Sequence, residues 1–244
     1  DAFIEKLRSA VEETDPDAMV IGEVWEDASN KISYSRRRKY LLGKELHGVM
    51  NYPFRTALFN YLLDGPAEDF KEAMETLREN YPPAAFHSAM NFLGTHDTPR
   101  ALTVLGGVPL PEGRDAQSMF CLTPDQRAAG LERLHVAAAI LFTFPGSPMI
   151  YYGDETGMEG AADPFNRRTY PWGREDQALL GWFRRLGGLR KERASLRRGD
   201  LQWLEARGPL LAFLREVPGE ATATLISAGP EALSVSLPEA GYRD

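Results

Sequence analysis

Short apolar runs alternate with segments of helical spacing along most of this chain. Apolar residues recur with a helical period at residues 3–14, 54–63, 67–80, 124–144 and 177–196. The apolar runs between them predict buried strands at residues 19–24, 46–52, 89–95 and 149–152. Strands that alternate with helices indicate a parallel sheet with right-handed crossovers. Four such units are half of an eight-stranded barrel.

The pattern changes after residue 198. Short alternating runs at residues 210–214, 222–226 and 233–237 are separated by Gly and Pro, which is typical of antiparallel sheet. We therefore expect an α/β fold: half of a barrel over residues 1–198, followed by a partial antiparallel β-domain over residues 199–244.

Local signals refine this pattern. Thr123 followed by Pro124 predicts a helix start, because threonine caps the first turn and proline fits its first position. Residues 105–114 are rich in Gly and Pro and predict a loop. The basic segment 31–39 is interpreted as a solvated helix face or loop.

Charge and composition exclude several function classes. The net charge of −7 argues against nucleic acid or an anionic membrane as a partner. No apolar run reaches the length of a membrane span. The one cysteine, Cys121, excludes an internal disulfide and fits a reducing compartment, so we expect a cytoplasmic protein, with secretion left open. The chain has no initiator Met, and we expect its natural start to lie upstream.

Two of the apolar runs end at ionisable side chains. The run at 19–24 includes Glu23 and is followed by Trp25, and the run at 89–95 stops at His96 and Asp97. In a parallel α/β barrel, reactive groups lie at the carboxyl ends of the strands. Two strands that each deliver one acid to the same rim would form the carboxylate pair that glycoside hydrolysis requires.

Three segments together resemble the α-amylase superfamily of glycoside hydrolases, in particular its neopullulanase, cyclomaltodextrinase and maltogenic amylase branch. They are Ile21-Gly22-Glu23-Val24-Trp25, residues 91–100, and residues 145–155. Their order and spacing resemble the ends of the fifth, seventh and eighth strands of that family's (β/α)8 TIM barrel. Residues 49–54 resemble the sixth. The resemblance extends over nearly the whole chain.

The resemblance implies a role for each candidate residue. Glu23 matches the family's general acid/base, and Asp97 matches the second carboxylate, which holds sugar hydroxyls. His96 matches a histidine that hydrogen-bonds the central sugar. Asp163 and Arg167 resemble an acid–arginine pair that contacts a more distant glucose unit. Trp25 is assigned to sugar stacking in a leaving-group subsite, with packing against the protein as an equal alternative.

One family feature is missing. The nucleophilic aspartate of the family ends the fourth strand in a Gly-x-Arg-x-Asp motif, and that motif does not occur in this sequence. We therefore expect the chain to be the C-terminal part of a retaining enzyme, inactive by itself because it lacks the nucleophile. An open half-barrel exposes strand edges and core, so we expect self-association or pairing with a missing N-terminal half.

The parent reaction implied by the resemblance is hydrolysis or transglycosylation of α-1,4 glucosidic bonds, with α-1,6 bonds as a further candidate. Its substrates would be α-glucan oligosaccharides: malto-oligosaccharides, pullulan or cyclodextrins. The alternatives are a non-catalytic oligosaccharide-binding half-barrel and an α-glucosidase or sucrose-type transferase of the same superfamily.

No cofactor and no metal are expected. Asp154 and Glu155 could bind a cation, but acids in a loop are more often solvated or paired with Arg. Arg100 is expected to order its loop or to pair with an acid. His47, His87 and His135 lie outside any ligand spacing and are interpreted as structural.

Overall fold

The computed structural model of the chain describes residues 2–33, 35–229 and 234–236. Within them, the α-helices are α1 (Ala2–Thr14), α2 (Tyr52–Leu62), α3 (Ala67–Asn80), α4 (Pro83–Ser88), α5 (Ala101–Leu105), α6 (Arg114–Met119), α7 (Pro124–Thr143), α8 (Gln177–Glu192) and α9 (Ala194–Arg198). The strands are β1 (Ile21–Gly22), β2 (Ile32–Ser33), β3 (Arg36–Arg37), β4 (Gly48–Val49), β5 (Met90–Phe92), β6 (Ser147–Met149), β7 (Asp200–Arg207), β8 (Leu210–Val217) and β9 (Glu220–Ser227). A 3₁₀ turn covers Asp154–Thr156.

Four short strands follow one another in parallel. β1 pairs with β4, and β5 pairs with β6, both in parallel register. A parallel bridge between Met50 and Met90 joins the two pairs. The spatial order of these four strands is therefore their order along the chain. Helices connect β4 to β5 and β5 to β6, as the alternating pattern predicts, whereas the connection from β1 to β4 contains the pair β2–β3 and no helix among its described residues.

All four strand predictions need correction. The second strand is Gly48–Val49, with Tyr52 already in α2, and the third is Met90–Phe92. The fourth strand is Ser147–Met149 and does not extend over residues 150–152, where the rings of Tyr151 and Tyr152 lie against the Arg100 guanidinium at 4.3 and 4.5 Å. The first strand is shorter than predicted and is not buried. Met19 is 53% exposed, because the described residues provide no layer over that side of β1.

The helix predictions differ from the structure mainly in short elements. The helices α2, α3, α7 and α8 lie where the helical period predicts them, within two residues at most ends. The short helices α4, α5 and α6 are not predicted, because one or two turns contain too few residues to show a helical period of apolar side chains. The basic segment 31–39 forms the antiparallel pair β2–β3 instead of a helix face or loop, with Arg36 and Arg37 in solvent.

The antiparallel sheet begins directly after the last helix. β8 pairs with β7 on one side and with β9 on the other, both antiparallel. β8 and β9 confirm the strands predicted at residues 210–214 and 222–226, whereas β7 lies at residues 200–207, where no strand is predicted. Of the predicted strand at 233–237, Leu233 and Leu237 lie outside the described residues.

One hydrophobic core connects the helices with this sheet. The ring of Phe144, at the end of α7, lies 5.7 Å from Phe54 and 5.6 Å from Phe70 in the helices. It also lies 5.9 Å from Trp203 and 5.5 Å from Phe213 in the sheet. Since this core includes residues from both sides of the predicted boundary, the division into a half-barrel (1–198) and a β-domain (199–244) stays a prediction. No helix in the described part of the chain is long and apolar enough to cross a membrane.

Candidate active site

The structure brings together three of the candidate residues at the ends of two strands. Glu23 follows β1, and His96 and Asp97 lie in the turn after β5. One oxygen or nitrogen atom from each of the three lies within 4.8 Å of the others, and all three residues are exposed. Because these residues are far apart in sequence, it is the parallel arrangement of β1 and β5 that places them on one rim.

Tyr52 is a residue of this site that the sequence analysis does not identify. Asn51 caps α2 by accepting a hydrogen bond from the Phe54 backbone N–H at 3.1 Å, which fixes Tyr52 at the helix start. The Tyr52 hydroxyl donates to Glu23 Oε1 at 3.1 Å. Burial raises the pKa of Tyr52 to about 12, so the hydroxyl stays protonated at neutral pH and acts as a donor.

Trp25 is held by the same tyrosine. Its ring stacks on the Tyr52 ring with 4.2 Å between centroids and 15° between planes. The Tyr52 ring in turn meets the edge of Phe92 at 4.8 Å, in the core. Trp25 nevertheless remains 53% exposed. The indole is thus packed against the protein and still offers surface to solvent, which suits both roles considered for it.

Arg167 links the remaining candidates to this group. Its Nε lies 2.7 Å from Asp163 Oδ1, and its Nη2 lies 3.4 Å from Asp97 Oδ1. The other Asp97 oxygen lies 3.4 Å from His96 Nε2. Through these contacts and through Tyr52, every residue that the sequence analysis selects for the site belongs to one cluster.

Beneath this cluster lies a fully buried ion pair. Arg100 Nη1 is 3.3 Å from Asp154 Oδ1, and the two side chains are 0% and 2% exposed. Burial raises the pKa of Asp154 to about 7, although Arg100 acts in the opposite direction. Glu155 Oε2 accepts from the Gly153 backbone N–H at 2.7 Å. Asp154 is therefore paired with an arginine, one of the outcomes considered for these acids, while Glu155 accepts from the backbone.

The exposed acids have a geometry that a metal ion could also use. Within the described ranges, Glu23, His96 and Asp97 are the one grouping of His, Cys, Asp and Glu side chains close enough to share an ion. Their present partners, however, are cation and hydroxyl donors: Arg167 for Asp97 and Tyr52 for Glu23. Carboxylates paired in this way suit hydroxyl groups of a ligand, which donate and accept hydrogen bonds.

Comparison with known proteins gives a family match over most of the chain. The family model described as alpha amylase, catalytic domain, matches residues 1–178. An amylopullulanase of Thermoanaerobacter thermohydrosulfuricus is 37% identical over 223 residues, covering 86% of this chain and 14% of that protein. A cyclomaltodextrinase of Geobacillus thermopakistaniensis is 32% identical over 242 residues, covering 97% of this chain and 36% of that protein.

Solved structures give the same result. The debranching enzyme of Nostoc punctiforme, in an acarbose-soaked crystal, superposes with a TM-score of 0.75 at 27% identity, covering 93% of this chain and 45% of that one. This chain therefore spans less than half the length of these relatives and of this structure.

Proposed function

Because this chain belongs to the α-amylase family of glycoside hydrolase catalytic domains, we propose that it is the C-terminal part of a retaining α-glucan hydrolase or transglycosylase. The observation that carries this proposal is that Glu23, His96 and Asp97 form one cluster, at the ends of the strands β1 and β5. The parallel order of β1, β4, β5 and β6 supports their assignment to strands five to eight of a (β/α)8 barrel.

In the proposed mechanism, Glu23 is the general acid/base. It gives its proton to the glycosidic oxygen as the bond to the anomeric carbon breaks, and a nucleophilic carboxylate attacks that carbon. Glu23 then takes a proton from the water that hydrolyses the covalent intermediate. Asp97 and His96 hold the hydroxyls of the reacting sugar, and Asp163 with Arg167 holds a more distant glucose unit. Trp25 stacks on a sugar on the leaving-group side.

The nucleophile is the part that this chain does not provide. A retaining pair has its carboxyl groups about 5–5.5 Å apart. Asp97 lies close enough to Glu23 but is paired with Arg167 and is assigned to sugar binding. The family's Gly-x-Arg-x-Asp motif is absent from the 244 residues. Removal of one member of a catalytic set commonly costs several orders of magnitude in rate, so we propose that the chain alone is inactive.

The experiment is an assay of reducing-sugar release from maltotriose, pullulan and cyclodextrin, with wild type compared with Glu23→Gln. Neither protein should exceed background. If wild type shows turnover and Glu23→Gln abolishes it, a carboxylate of this chain must complete the site, and the proposal would be contradicted. A second polypeptide, with the family's first four strands and its Gly-x-Arg-x-Asp motif, should produce turnover when it is mixed with the wild-type chain. It should produce none when it is mixed with Glu23→Gln.

A second candidate is an oligosaccharide-binding unit without catalysis. It is favoured by the fact that the sugar-contacting set, His96, Asp97, Asp163 and Arg167, is assembled within this chain alone. Maltotriose binding that never leads to turnover, even with the complementary polypeptide present, would decide in its favour.

A further inference from the structure

Asn166 is buried between the two segments that carry the sugar-facing groups. Its side chain is 0% exposed, and its amide nitrogen points at three backbone carbonyl oxygens of the turn after β5. The distances are 3.4 Å to Thr95 O, 2.7 Å to His96 O and 2.8 Å to Thr98 O. These carbonyls surround the peptide units of His96 and Asp97, so a single side chain holds the backbone from which both residues project.

Arg100 completes this link from the opposite direction. Its Nε donates to the backbone carbonyl of Asn166 at 2.7 Å, and its guanidinium is itself buried against Asp154. Arg100, which follows the turn after β5, therefore binds the main chain of Asn166, while the side chain of Asn166 binds the main chain of that turn. Such reciprocal bonds leave little freedom for either segment, since a buried carbonyl left without a donor costs about 1–3 kcal/mol.

The neighbouring residue, Arg167, turns to the solvent side. Its Nε donates to His96 O at 3.1 Å, and its Nη2 approaches Asp97 Oδ1 at 3.4 Å. Asn166 points inward and Arg167 outward from adjacent positions of the chain. Because Asn166 is held in this way, the backbone from which the Arg167 side chain projects is held beside the His96 turn as well.

We propose that Asn166 is a positioning residue, which holds His96 and Asp97 in register with Asp163 and Arg167 so that side chains of two segments form one sugar-binding surface. The sugar-binding part of this inference rests on the function proposed above. Preorganisation of this kind matters because a displacement of about 1 Å at a binding group can cost as much as about a hundredfold in rate.

The test compares two buried asparagines that each link separate segments. Asn91, in β5, is also 0% exposed, and its amide donates to Pro145 O at 2.7 Å, in the segment before β6, and not to a carbonyl of the His96 turn. We expect Asn166→Ala and Asn91→Ala both to lower the melting temperature. Only Asn166→Ala should shift the imidazole NMR signals of His96, with those of His47, His87 and His135 unchanged. It should also weaken maltotriose binding, measured by calorimetry, by about tenfold or more.

Unchanged His96 signals in Asn166→Ala, or an equal shift in Asn91→Ala, would overturn the inference and leave Asn166 a purely structural residue. If Asn166→Ala does not fold, Asn166→Ser retains one donor and should show a smaller His96 shift, and no shift would again overturn the inference. Failure of wild type to bind maltotriose would count against the proposed function, while the His96 signals would still decide the role of Asn166.

Discussion

Asp154 and Arg100 place an acid and a base side by side in a buried part of the molecule. Removal of both groups from water is costly, and their attraction offsets this cost only in part. The raised pKa of Asp154 reflects that balance, since burial outweighs the nearby guanidinium. At the residue scale, the same pair supports the segments above it, because Arg100 also donates to the carbonyls of Tyr152 and Asn166.

We predict that Asp154→Asn changes how stability depends on pH. A carboxyl whose pKa is raised to about 7 in the folded protein holds a proton that the unfolded chain has released above about pH 4. Its contribution to the free energy of unfolding should therefore fall as pH rises from about 4 to about 7. The difference between wild type and Asp154→Asn should decrease over this range by a few kcal/mol, roughly.

Urea denaturation at several pH values between 4 and 7 measures this difference. Asp115→Asn, the same substitution at an exposed position of α6, is the matched control. If the difference in the free energy of unfolding between wild type and Asp154→Asn stays constant with pH, the pKa of Asp154 is the same in the folded and the unfolded protein, and the prediction is wrong.

Two variants of Tyr52 separate its hydrogen bond from its packing. Tyr52→Phe keeps the ring between Trp25 and Phe92 but loses the donor to Glu23, and should cost about 0.5–3 kcal/mol. Tyr52→Ala also removes the buried ring and should cost about 3–5 kcal/mol. The indole N–H signal of Trp25 should move strongly in Tyr52→Ala and little in Tyr52→Phe. Equal movement in both variants would mean that the stack does not hold Trp25.

At the scale of elements, close approach of backbone segments decides where the strand ends lie. Gly94 follows β5, and a Cβ built on it would lie 2.5 Å from Asp154 Oδ2. A glycine here lets the segment after β5 approach the buried pair. The turn that carries His96 and Asp97 follows directly after this close approach.

Gly94→Ala should destabilise the protein by about 1–3 kcal/mol, because the added methyl group must displace the buried Asp154 side chain. Gly181→Ala is the matched control, since Gly181 lies in α8 and its added Cβ would meet no atom within 4 Å. This control should stabilise the protein by about 0.5–1 kcal/mol. Denaturant titration gives both values, and a neutral Gly94→Ala would show that the 95–98 turn tolerates a shift of Asp154.

At the scale of the whole molecule, one side of the described structure lacks a covering layer. No residue of α1 is buried, although Ile4, Leu7 and Val11 lie on one face of that helix. Leu7 is 44% exposed and Met19 is 53% exposed. In the part of the chain described, β1 pairs on one side only. We propose that the N-terminal part of the same barrel covers this side, and that the isolated chain covers it by self-association.

Light scattering should therefore give a mass above the 27.2 kDa of one chain. The double variant Leu7→Glu/Met19→Glu should shift the mass toward one chain, because two charges would oppose burial of this surface. Met119→Glu, at an 82% exposed position on α6, should leave the association unchanged. A wild-type monomer at all concentrations would argue against the proposed association.

The sequence by itself determined the periodic elements and the family. Periods of two and of about 3.6 residues are local properties, so α2, α3, α7 and the strands β8 and β9 are predictable without tertiary information. The start of α7 is also local, and its capping box at Thr123 and Gln126 confirms the prediction. The strand-end motifs pointed to Glu23, His96 and Asp97 because chemistry at such ends is a property of the fold class.

Only the tertiary structure decided which groups support those motifs. Tyr52 becomes part of the site because the parallel pairing of β1 and β4 brings the start of α2 beside Glu23. Asn166 and Asp154 acquire their surroundings from segments about 55 to 70 residues away. No local period encodes such contacts, since burial and hydrogen bonding between distant segments depend on how the whole chain packs.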